Sequence, residues 1–572
     1  MSRHCLLLLL LTTTLLAFAT LTAGASAPTV ETLNGTYVGR YVPDYNQDFF
    51  LGVPFAQPPV GPLRFANPRS LNTSFGGTRQ ATEYSVECVG YGSDQWGFNV
   101  SEDCLYLNVV RPSNYADYDE PLPVGIWIYA SLGGSFVEGG SPDQRYNLSF
   151  IVQNSVEIGK PFIGVSFNYR LSAWGFMASG QLAGEGSTNM GLRDQRLALH
   201  WIQENIGAFG GDPTKVTIWG ESAGGMSVGF HLVAYNGRDD GLFRAGIMES
   251  GNSIQWNGMY TADYFDGAYQ ALVDNVGCTS AADVLACLRM TPFDTINAAV
   301  NTTNASVWFP VIDGDFIAKL ASYQLEAGDY VHVPIICGTN TDEGTAFGPI
   351  GINTTAQFLQ VLEEGSIHPY TPLAPALAEE IIDVYPDDPC VGIPEDLGCT
   401  RLNDILGLQW RRTSAYAGDA TFIAGRRYQC EVFAAGGNTA YCYRFNTLPN
   451  GVPIEVGVTH FQEVAFVFDN TDGYGYDVSP DPFAGVPESY FALAKLMSRS
   501  WASFIHDLDP NSFRASGAYV EEGTPLWPAY DVGSPLDIVW DANVTGLAWV
   551  EPDTFRAEGI NTIISYNRAF RR

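Results

Sequence analysis

Basic residues are scarce in this sequence of 572 residues. It has 29 lysines and arginines against 62 aspartates and glutamates, which gives a formal net charge of −33. The acidic residues are spread along the chain and do not form a tail. A protein of this charge repels the phosphates of nucleic acids, so we expect no nucleic-acid partner. The charge mildly favours neutral or cationic small molecules as ligands.

Metal-binding patterns are absent as well. The chain has no Cys-x-x-Cys and no paired histidines at a ligand spacing, so we predict no metal site and no cofactor. Short spacings between cysteines instead suggest disulfides, namely Cys88 with Cys104, Cys278 with Cys287 and Cys390 with Cys399, with Cys430 and Cys442 as a further candidate pair. Cys337, inside the apolar run VPIICG, is then expected to be a buried free thiol.

Long apolar runs are lacking beyond the amino terminus. Residues 1–27 have a short basic start, an apolar stretch of signal-peptide length and small residues that suit signal peptidase. We interpret them as a removed secretion signal. A retained membrane anchor is the alternative, and it is disfavoured because threonines at 12–14 interrupt the apolar stretch. The mature protein is therefore expected to be soluble and extracellular.

Asn-x-Ser/Thr sequons agree with passage through the secretory pathway. The candidate glycosylation sites are Asn34, Asn72, Asn99, Asn147, Asn301, Asn304, Asn353 and Asn543. Such sequons also arise by chance.

Linkers and internal repeats are lacking too, so residues 28–572 are predicted to form one large domain. From about residue 120, short apolar runs alternate with longer helical patterns, which is typical of a mostly parallel sheet flanked by helices. Residues 28–115 are predicted as an antiparallel lead-in to that sheet. The predicted fold class is α/β, with ligands bound beyond the carboxyl ends of the strands.

The segment KVTIWGESAGGMSVG, residues 215–229, places a serine at the abrupt end of an apolar run. If 215–219 is a strand and 223–234 a helix, Ser222 lies in the tight turn between them. Gly220 and Gly224 complete the pattern G-x-S-x-G, in which the glycines allow a sharp turn and a closely packed helix. A plain strand-to-helix turn is the alternative, but the strand VTIW and the small-residue helix favour a nucleophile.

A serine hydroxyl needs a base that takes its proton, and in a sheet of this kind the acid and the histidine follow the serine. Of the later histidines, His506 ends an amphipathic helix and is interpreted as structural. His368 precedes a proline in an irregular stretch. His460, in GVTHFQEVAFVF, is therefore the predicted base.

The acid is expected in VPIICGTNTDEGTAFG, where a buried strand ends in a turn. Asp342 and Glu343 are adjacent there, and either carboxylate could reach a histidine. Both could also be ordinary solvated loop charges, so the residues alone leave the choice open.

Together with the segments FLGVPFAQPPVGPLRFANP, SEDCLYLNVVRP, NYRLSAWGF and GAFGGDPTKVTIWGESAGG, these motifs resemble the type-B carboxylesterase/lipase family, which includes cholinesterases and fungal lipases. The similarity runs in order from about residue 30 to about residue 560. It implies an α/β-hydrolase fold and a triad of Ser222, His460 and Glu343. It also implies supporting roles for Glu221 and Ser250, disulfides Cys88–Cys104 and Cys278–Cys287, and ion pairs Arg64–Glu102 and Arg170–Asp194.

The oxyanion hole is the part where this chain departs from the family pattern. Ala223 supplies one backbone amide, but the family's Gly-Gly-Gly-Phe loop is replaced by ASLGGSF, in which residues 130–132 look inserted. By position, Gly134 and Ser135 are expected to donate the other amides, since either residue type offers an N–H group.

The substrate class is expected to be uncharged carboxylic esters. Cys88 and Cys104 enclose only residues 89–103, too few for a large lipase lid. Trp96 resembles the aromatic on which cholinesterases rest a quaternary ammonium, with a packing tryptophan as the alternative. Phe347 is a second expected substrate contact, and Asn304 and Ser306 replace acyl-pocket phenylalanines. The predicted enzyme is a serine carboxylesterase, with a lipase or sterol esterase and a non-catalytic adhesion protein of the same family as alternatives.

Overall fold

The structure is a computed structural model that describes residues 27–129, 135–254, 258–302, 307–365, 371–402, 405–477, 479–518 and 520–572. Gly134, a predicted oxyanion donor, and Asn304, a predicted glycosylation site, lie outside the described residues. So do residues 1–26 of the predicted signal peptide, residues 130–132, Ser306 and His368.

Strands occur throughout the described chain. They are β1 Thr29–Thr32, β2 Gly35–Val38, β3 Arg40–Val42, β4 Gln47–Pro54, β5 Thr78–Gln80, β6 Glu87–Cys88, β7 Val100–Ser101, β8 Tyr106–Pro112, β9 Leu122–Ile128, β10 Ile163–Phe167, β11 Gly211–Glu221, β12 Ala245–Glu249, β13 Ile335–Asn340, β14 Ala440–Phe445, β15 Leu536–Trp540 and β16 Ala548–Pro552.

Helices follow most of the central strands. They are α1 Leu148–Glu157, α2 Ser172–Phe176, α3 Gly180–Gly184, α4 Met190–Asn205, α5 Ala223–Gly237, α6 Asp266–Asn275, α7 Val284–Met290, α8 Phe293–Thr302, α9 Ala321–Ala327, α10 Thr355–Glu364, α11 Pro375–Val384, α12 Trp410–Gly418, α13 Ala424–Ala435, α14 Val464–Val467, α15 Glu488–Asp507 and α16 Ala557–Ser565.

An eleven-stranded mixed sheet forms the centre of the fold, in the order β16-β15-β14-β13-β12-β11-β9-β10-β8-β4-β3. The strands from β15 to β10 in that order are parallel, whereas β16 and the β8-β4-β3 end pair antiparallel. The predicted α/β fold is therefore confirmed, including the antiparallel lead-in.

The central strands are buried along their whole length because helices cover them. Every residue of β9, β10, β12, β13 and β14 is buried, as expected for parallel strands with both faces covered. Gly246 of β12 allows α5 to pack closely, since a Cβ there would meet Val228 at 3.0 Å. A second apolar cluster forms where α10, α11, α12 and α16 meet.

The helix patterns in the sequence match the structure closely. The segment LRDQRLALHWIQENI lies in α4 and YFALAKLMSRSWASFI lies in α15. Within α5, the backbone leaves helical geometry at Ala234, Tyr235 and Asn236, so the regular helix ends at Val233, one residue before its predicted end.

Disulfides close four short segments of the described chain: Cys88–Cys104, Cys278–Cys287, Cys390–Cys399 and Cys430–Cys442. Cys337 is free and buried in β13. None of the helices among the described residues has the length and apolar character needed to cross a membrane.

Candidate active site

Ser222 lies in the turn between β11 and α5, at the carboxyl edge of the parallel sheet. Its backbone has φ 51° and ψ −119°, a conformation that a non-glycine residue adopts only under constraint. Its N–H group donates to the carbonyl of Glu249, at the end of β12, over 2.9 Å. The turn is therefore fastened to the neighbouring strand.

The two glycines of the motif are required by close backbone contacts. A Cβ on Gly220 would lie 2.5 Å from the carbonyl carbon of Gly224, and a Cβ on Gly224 would lie 2.0 Å from the carbonyl oxygen of Ile128 in β9. Only glycine fits at either position, so α5 can begin directly against the sheet.

His460 and Glu343 are in direct contact. Nδ1 of His460 lies 2.7 Å from Oε2 of Glu343. The other carboxylate oxygen of Glu343 accepts hydrogen bonds from the backbone N–H of Asn340 at 2.7 Å and from the Ser250 hydroxyl at 2.5 Å. Glu343 is thus fixed by two donors and orients the imidazole.

Nε2 of His460 faces the turn that carries Ser222. It lies 3.2 Å from Oε1 of Glu221, the residue that precedes the serine, and it has no hydrogen-bond partner within the described ranges. A buried ring nitrogen without a partner is available to take a proton from a hydroxyl.

Aromatic rings enclose the imidazole. Phe422 stacks on His460 with 4.6 Å between ring centroids, and Phe347 packs edge-to-face with the imidazole with 5.1 Å between ring centroids. His460 is only 3% exposed, so these rings limit its contact with water. Phe347 therefore lies beside the predicted base, whereas Phe422 was not identified in the sequence.

Asp342 faces away from the histidine. Its Oδ2 accepts from the backbone N–H of Val458 at 2.8 Å, and its own N–H donates to the Val458 carbonyl at 2.9 Å. The adjacent carboxylates thus have different partners. Glu343 contacts the imidazole, and Asp342 holds the backbone of the segment that carries it.

Four glutamates are buried around the histidine: Glu221, Glu249, Glu343 and Glu463. Glu249 accepts from the indole N–H groups of Trp219 and Trp501, each at 2.6 Å. Glu463 accepts from Asn340 at 2.6 Å and lies 3.2 Å from the Ser250 hydroxyl.

Burial raises the pKa of three of these carboxyls. The pKa of Glu463 rises to about 7, through burial and then repulsion by Glu343. The pKa values of Glu221 and Glu249 rise well above their ordinary range, through burial first and then repulsion by neighbouring glutamates. Burial thus disfavours the ionised forms of Glu221 and Glu249 within this cluster of glutamates.

Glu249 and Glu463 were missed in the sequence. Their positions beside predicted site residues were the only indication of a role, since Glu249 precedes Ser250 in MESG and Glu463 lies three residues after His460. Acidic residues are rarely buried, so nothing in the local sequence indicated that these two are.

The oxyanion region is described in part. Ala223 is buried at the first position of α5, next to Ser222. Ser135 and Phe136 have φ 45° and 62°, so a tight turn follows the segment that contains Gly134. The Phe136 carbonyl accepts from the N–H of Ser172 at 2.7 Å, which fixes the end of this turn.

Trp96 projects from the disulfide loop, which we define as residues 88–104. Its side chain is 74% exposed, so the alternative of a packing tryptophan is wrong. The two ion pairs implied by the family resemblance are formed: Arg64 with Glu102 at 2.7 Å between Nη2 and Oε2, and Arg170 with Asp194 at 2.7 Å. No group of metal-ligating side chains is found in the part of the chain that the structure describes.

Known proteins resemble this chain along nearly its whole length. The sequence profile of the carboxylesterase family matches residues 26–539. Lipase 2 of Diutina rugosa is 34% identical over 96% of this chain and 98% of the relative. Secreted lipase 1 of Botryotinia fuckeliana is 32% identical over 90% of this chain and 89% of the relative.

Among solved structures, the crystal structure of Aspergillus niger EstA aligns with a TM-score of 0.78 and 28% identity, covering 96% of this chain and 99% of that chain. The fold, the profile match and the lipase relatives agree with one another. The chain belongs to the carboxylesterase family and is a hydrolase of carboxylic esters.

Proposed function

We propose that this protein is a secreted serine esterase that cleaves uncharged carboxylic esters through an acyl-serine intermediate. Ser222 is the nucleophile, His460 the general base and Glu343 the carboxylate that orients the imidazole. The observation that carries the proposal is the 2.7 Å contact between His460 and Glu343, with the free Nε2 turned to the Ser222 segment.

In the first half of the reaction, Ser222 Oγ attacks the ester carbonyl carbon while Nε2 of His460 takes the hydroxyl proton. The backbone N–H groups of Ala223 and Ser135, with that of Gly134, stabilise the oxyanion. Collapse of the tetrahedral intermediate expels the alcohol, which takes the proton from His460. Water then attacks the acyl-serine with the same base, and the acid is released.

Glu343 supports this cycle because it accepts from Nδ1 and so leaves Nε2 as the basic nitrogen. Glu221 and Ser250 are proposed to support the same arrangement. Ser250 donates to Glu343, and Glu221 borders Nε2. Two substrate contacts are also proposed: Trp96 in the disulfide loop and Phe347 beside the imidazole.

A fluorophosphonate probe tests the proposal directly. We expect stoichiometric labelling of Ser222, identified by peptide mass spectrometry, together with loss of ester hydrolysis. Ser222→Ala should lose both labelling and activity while keeping the wild-type melting temperature. An active Ser222→Ala variant, or labelling at another residue, would contradict the proposed nucleophile.

A lipase of the same family is the second candidate, because curated relatives of this chain are named as lipases. The disulfide loop has a sequence separation of only 16, which leaves little chain for a lid. A series of nitrophenyl esters of increasing chain length, compared with an emulsified triglyceride, separates the two. A sharp rise in the hydrolysis rate once the triglyceride exceeds its solubility and forms an emulsion would favour the lipase.

Secretion, the removal of residues 1–27 and a single catalytic domain over 28–572 belong to the proposal. Four disulfides and a relative named as secreted agree with an extracellular protein. Of the described sequons, Asn72, Asn99, Asn301 and Asn543 are exposed and are the preferred glycan sites. Asn34, Asn147 and Asn353 are half-buried. Peptide mapping of the secreted protein tests the removal of residues 1–27. Mapping before and after glycosidase treatment tests which sequons carry glycans.

A further inference from the structure

Arg145 joins three separate segments of the chain near the active site. Its guanidinium pairs with Asp143 in its own turn and with Asp94 of the disulfide loop, where Nη2 and Oδ2 are 2.9 Å apart. The same guanidinium lies 5.4 Å from the ring centroid of Phe461, the residue that follows His460. Its side chain is only 8% exposed, so these contacts are shielded from water.

The disulfide loop is also attached to the segment that follows Ser135. Tyr91 donates its N–H to the Val137 carbonyl at 2.9 Å, and Asp94 donates its N–H to the Glu138 carboxylate at 2.9 Å. Gln95 adds a bond to the carbonyl of Gly139 at 3.1 Å. The loop that carries Trp96 is therefore held on one side by residues 137–139, which follow Ser135, and on the other side by Arg145.

Phe461 has a constrained backbone. Its φ is 75°, in the left-handed region, and its side chain is buried at 2% exposure. A bulky residue keeps such a conformation only where its surroundings hold it. The surroundings here are the guanidinium of Arg145 and the ring of Tyr146, whose centroid lies 6.1 Å from that of Phe461.

We propose that Arg145 is a positioning residue that aligns His460, because it holds the Phe461 ring and ties it to the disulfide loop through Asp94. The inference rests on the proposed role of His460 as the base. The contacts of Arg145 thus connect the disulfide loop to the segment that carries His460. A substrate that moves this loop is therefore expected to shift the imidazole as well.

The chain offers a matched control for a purely structural role. Arg111 is also buried, pairs with Asp48 at 3.0 Å and lies 3.7 Å from the ring centroid of Tyr115. It therefore has the same kinds of partner as Arg145, but it contacts no residue of the candidate active site in the described chain. Loss of Arg111 removes one buried ion pair, with Asp48, and cation–π contacts with two aromatic rings. Loss of Arg145 removes two ion pairs, with Asp94 and Asp143, and likewise cation–π contacts with two aromatic rings.

The test compares Arg145→Gln with Arg111→Gln on a soluble short-chain nitrophenyl ester. We expect Arg145→Gln to lower kcat by about 10- to 100-fold, the range for a displaced catalytic group, with a smaller change in KM. The rate of fluorophosphonate labelling at Ser222 should fall in parallel. Arg111→Gln should keep kcat and the labelling rate near wild type, even if both variants lose thermal stability.

Asp94→Asn provides a second variant that removes only the link to the loop. We expect a partial loss of kcat, and no further loss when it is added to Arg145→Gln, because both break the same connection. If Arg145→Gln does not fold, Asp94→Asn and Phe461→Leu carry the test, and both should lower kcat.

The proposal is overturned if a folded Arg145→Gln keeps the wild-type kcat, if Arg111→Gln loses as much, or if Asp94→Asn and Phe461→Leu both leave kcat unchanged. Failure of the proposed function gives a different result, since the wild-type protein would then not be labelled at Ser222. Normal labelling of the wild type together with an unchanged Arg145→Gln overturns the positioning role alone.

Discussion

Nε2 of His460 lies 3.2 Å from a carboxylate oxygen of Glu221, while Nδ1 of the same ring is bonded to Glu343. The imidazole is thus placed between two buried carboxyls of different character. Burial, and then repulsion by neighbouring glutamates, raises the pKa of Glu221 well above its ordinary value. Glu221 therefore borders Nε2 as a carboxyl group whose ionisation is disfavoured by burial.

The first prediction separates the adjacent acids. Glu343→Gln should lower kcat by about 10³- to 10⁴-fold, because the amide favours the wrong tautomer of the histidine. Asp342→Asn should keep most of the activity, since the amide oxygen can still accept from Val458, and burial already raises the Asp342 pKa to about 7. Steady-state kinetics on both variants provides the measurement, and equal losses would argue against the assignment of Glu343.

The second prediction concerns the donor at Ser135. If its backbone N–H stabilises the oxyanion, Ser135→Ala and Ser135→Gly should both keep kcat, because each retains that group. The glycine variant should also be as stable as wild type or more so, since φ at this position is 45°. A fall in kcat of about 10²- to 10³-fold in both variants would instead identify the hydroxyl as the donor.

The third prediction tests the close contact behind the nucleophile. Gly224→Ala places a methyl group 2.0 Å from the Ile128 carbonyl oxygen and should destabilise the protein by about 3 kcal/mol, with loss of activity. Gly184→Ala in α3 is the control, because a Cβ there meets nothing within 4 Å. Chemical denaturation should show the control unchanged or about 0.5–1 kcal/mol more stable.

The fourth prediction concerns the pH dependence of stability. The pKa of Glu463 is about 7 in the folded protein against an ordinary value of 4.5, so the folded state holds a proton that the unfolded state releases between these values. The stabilising contribution is complete below pH 4.5, falls as pH rises and is lost above 7, by about 3 kcal/mol at most.

Glu463→Gln should remove this contribution, so the free energy of unfolding should vary less between pH 4.5 and 7 than in wild type. Replacement of the exposed Glu379 by Gln serves as the control and should retain the wild-type slope. Urea denaturation across this range provides the measurement. Identical slopes in all three proteins would show that Glu463 does not titrate as its surroundings indicate.

Local patterns in the sequence predicted the strand, the turn and the helix around Ser222. The two glycines around Ser222 recur at the local spacing of the motif, although Gly224 is required by its contact with Ile128 of β9. The strand VTIW is part of the predicted and observed β11. The strand begins at Gly211, four residues before the predicted start, because Gly211 pairs with Leu122 through its backbone, and a register shift separates this pair from the regular pairing that starts at Val216.

Features that depend on distant segments were harder to predict. Asp342 and Glu343 are equivalent as neighbours in the sequence, and only the positions of Val458 and His460 separate their roles. The burial of Glu249 and Glu463 depends on indole and amide donors from other parts of the chain. The sequence around each glutamate does not indicate which distant side chains will donate hydrogen bonds to it.

Cys337 has a practical consequence for biophysical study. Among the described residues it is the one free thiol, it lies in the strand that leads to Glu343, and burial raises its pKa to about 12. A thiol-reactive dye can therefore reach it only when the central sheet opens, since both burial and protonation suppress its reactivity. The rate of dye attachment under native conditions thus gives a built-in reporter of sheet opening, without any engineered label.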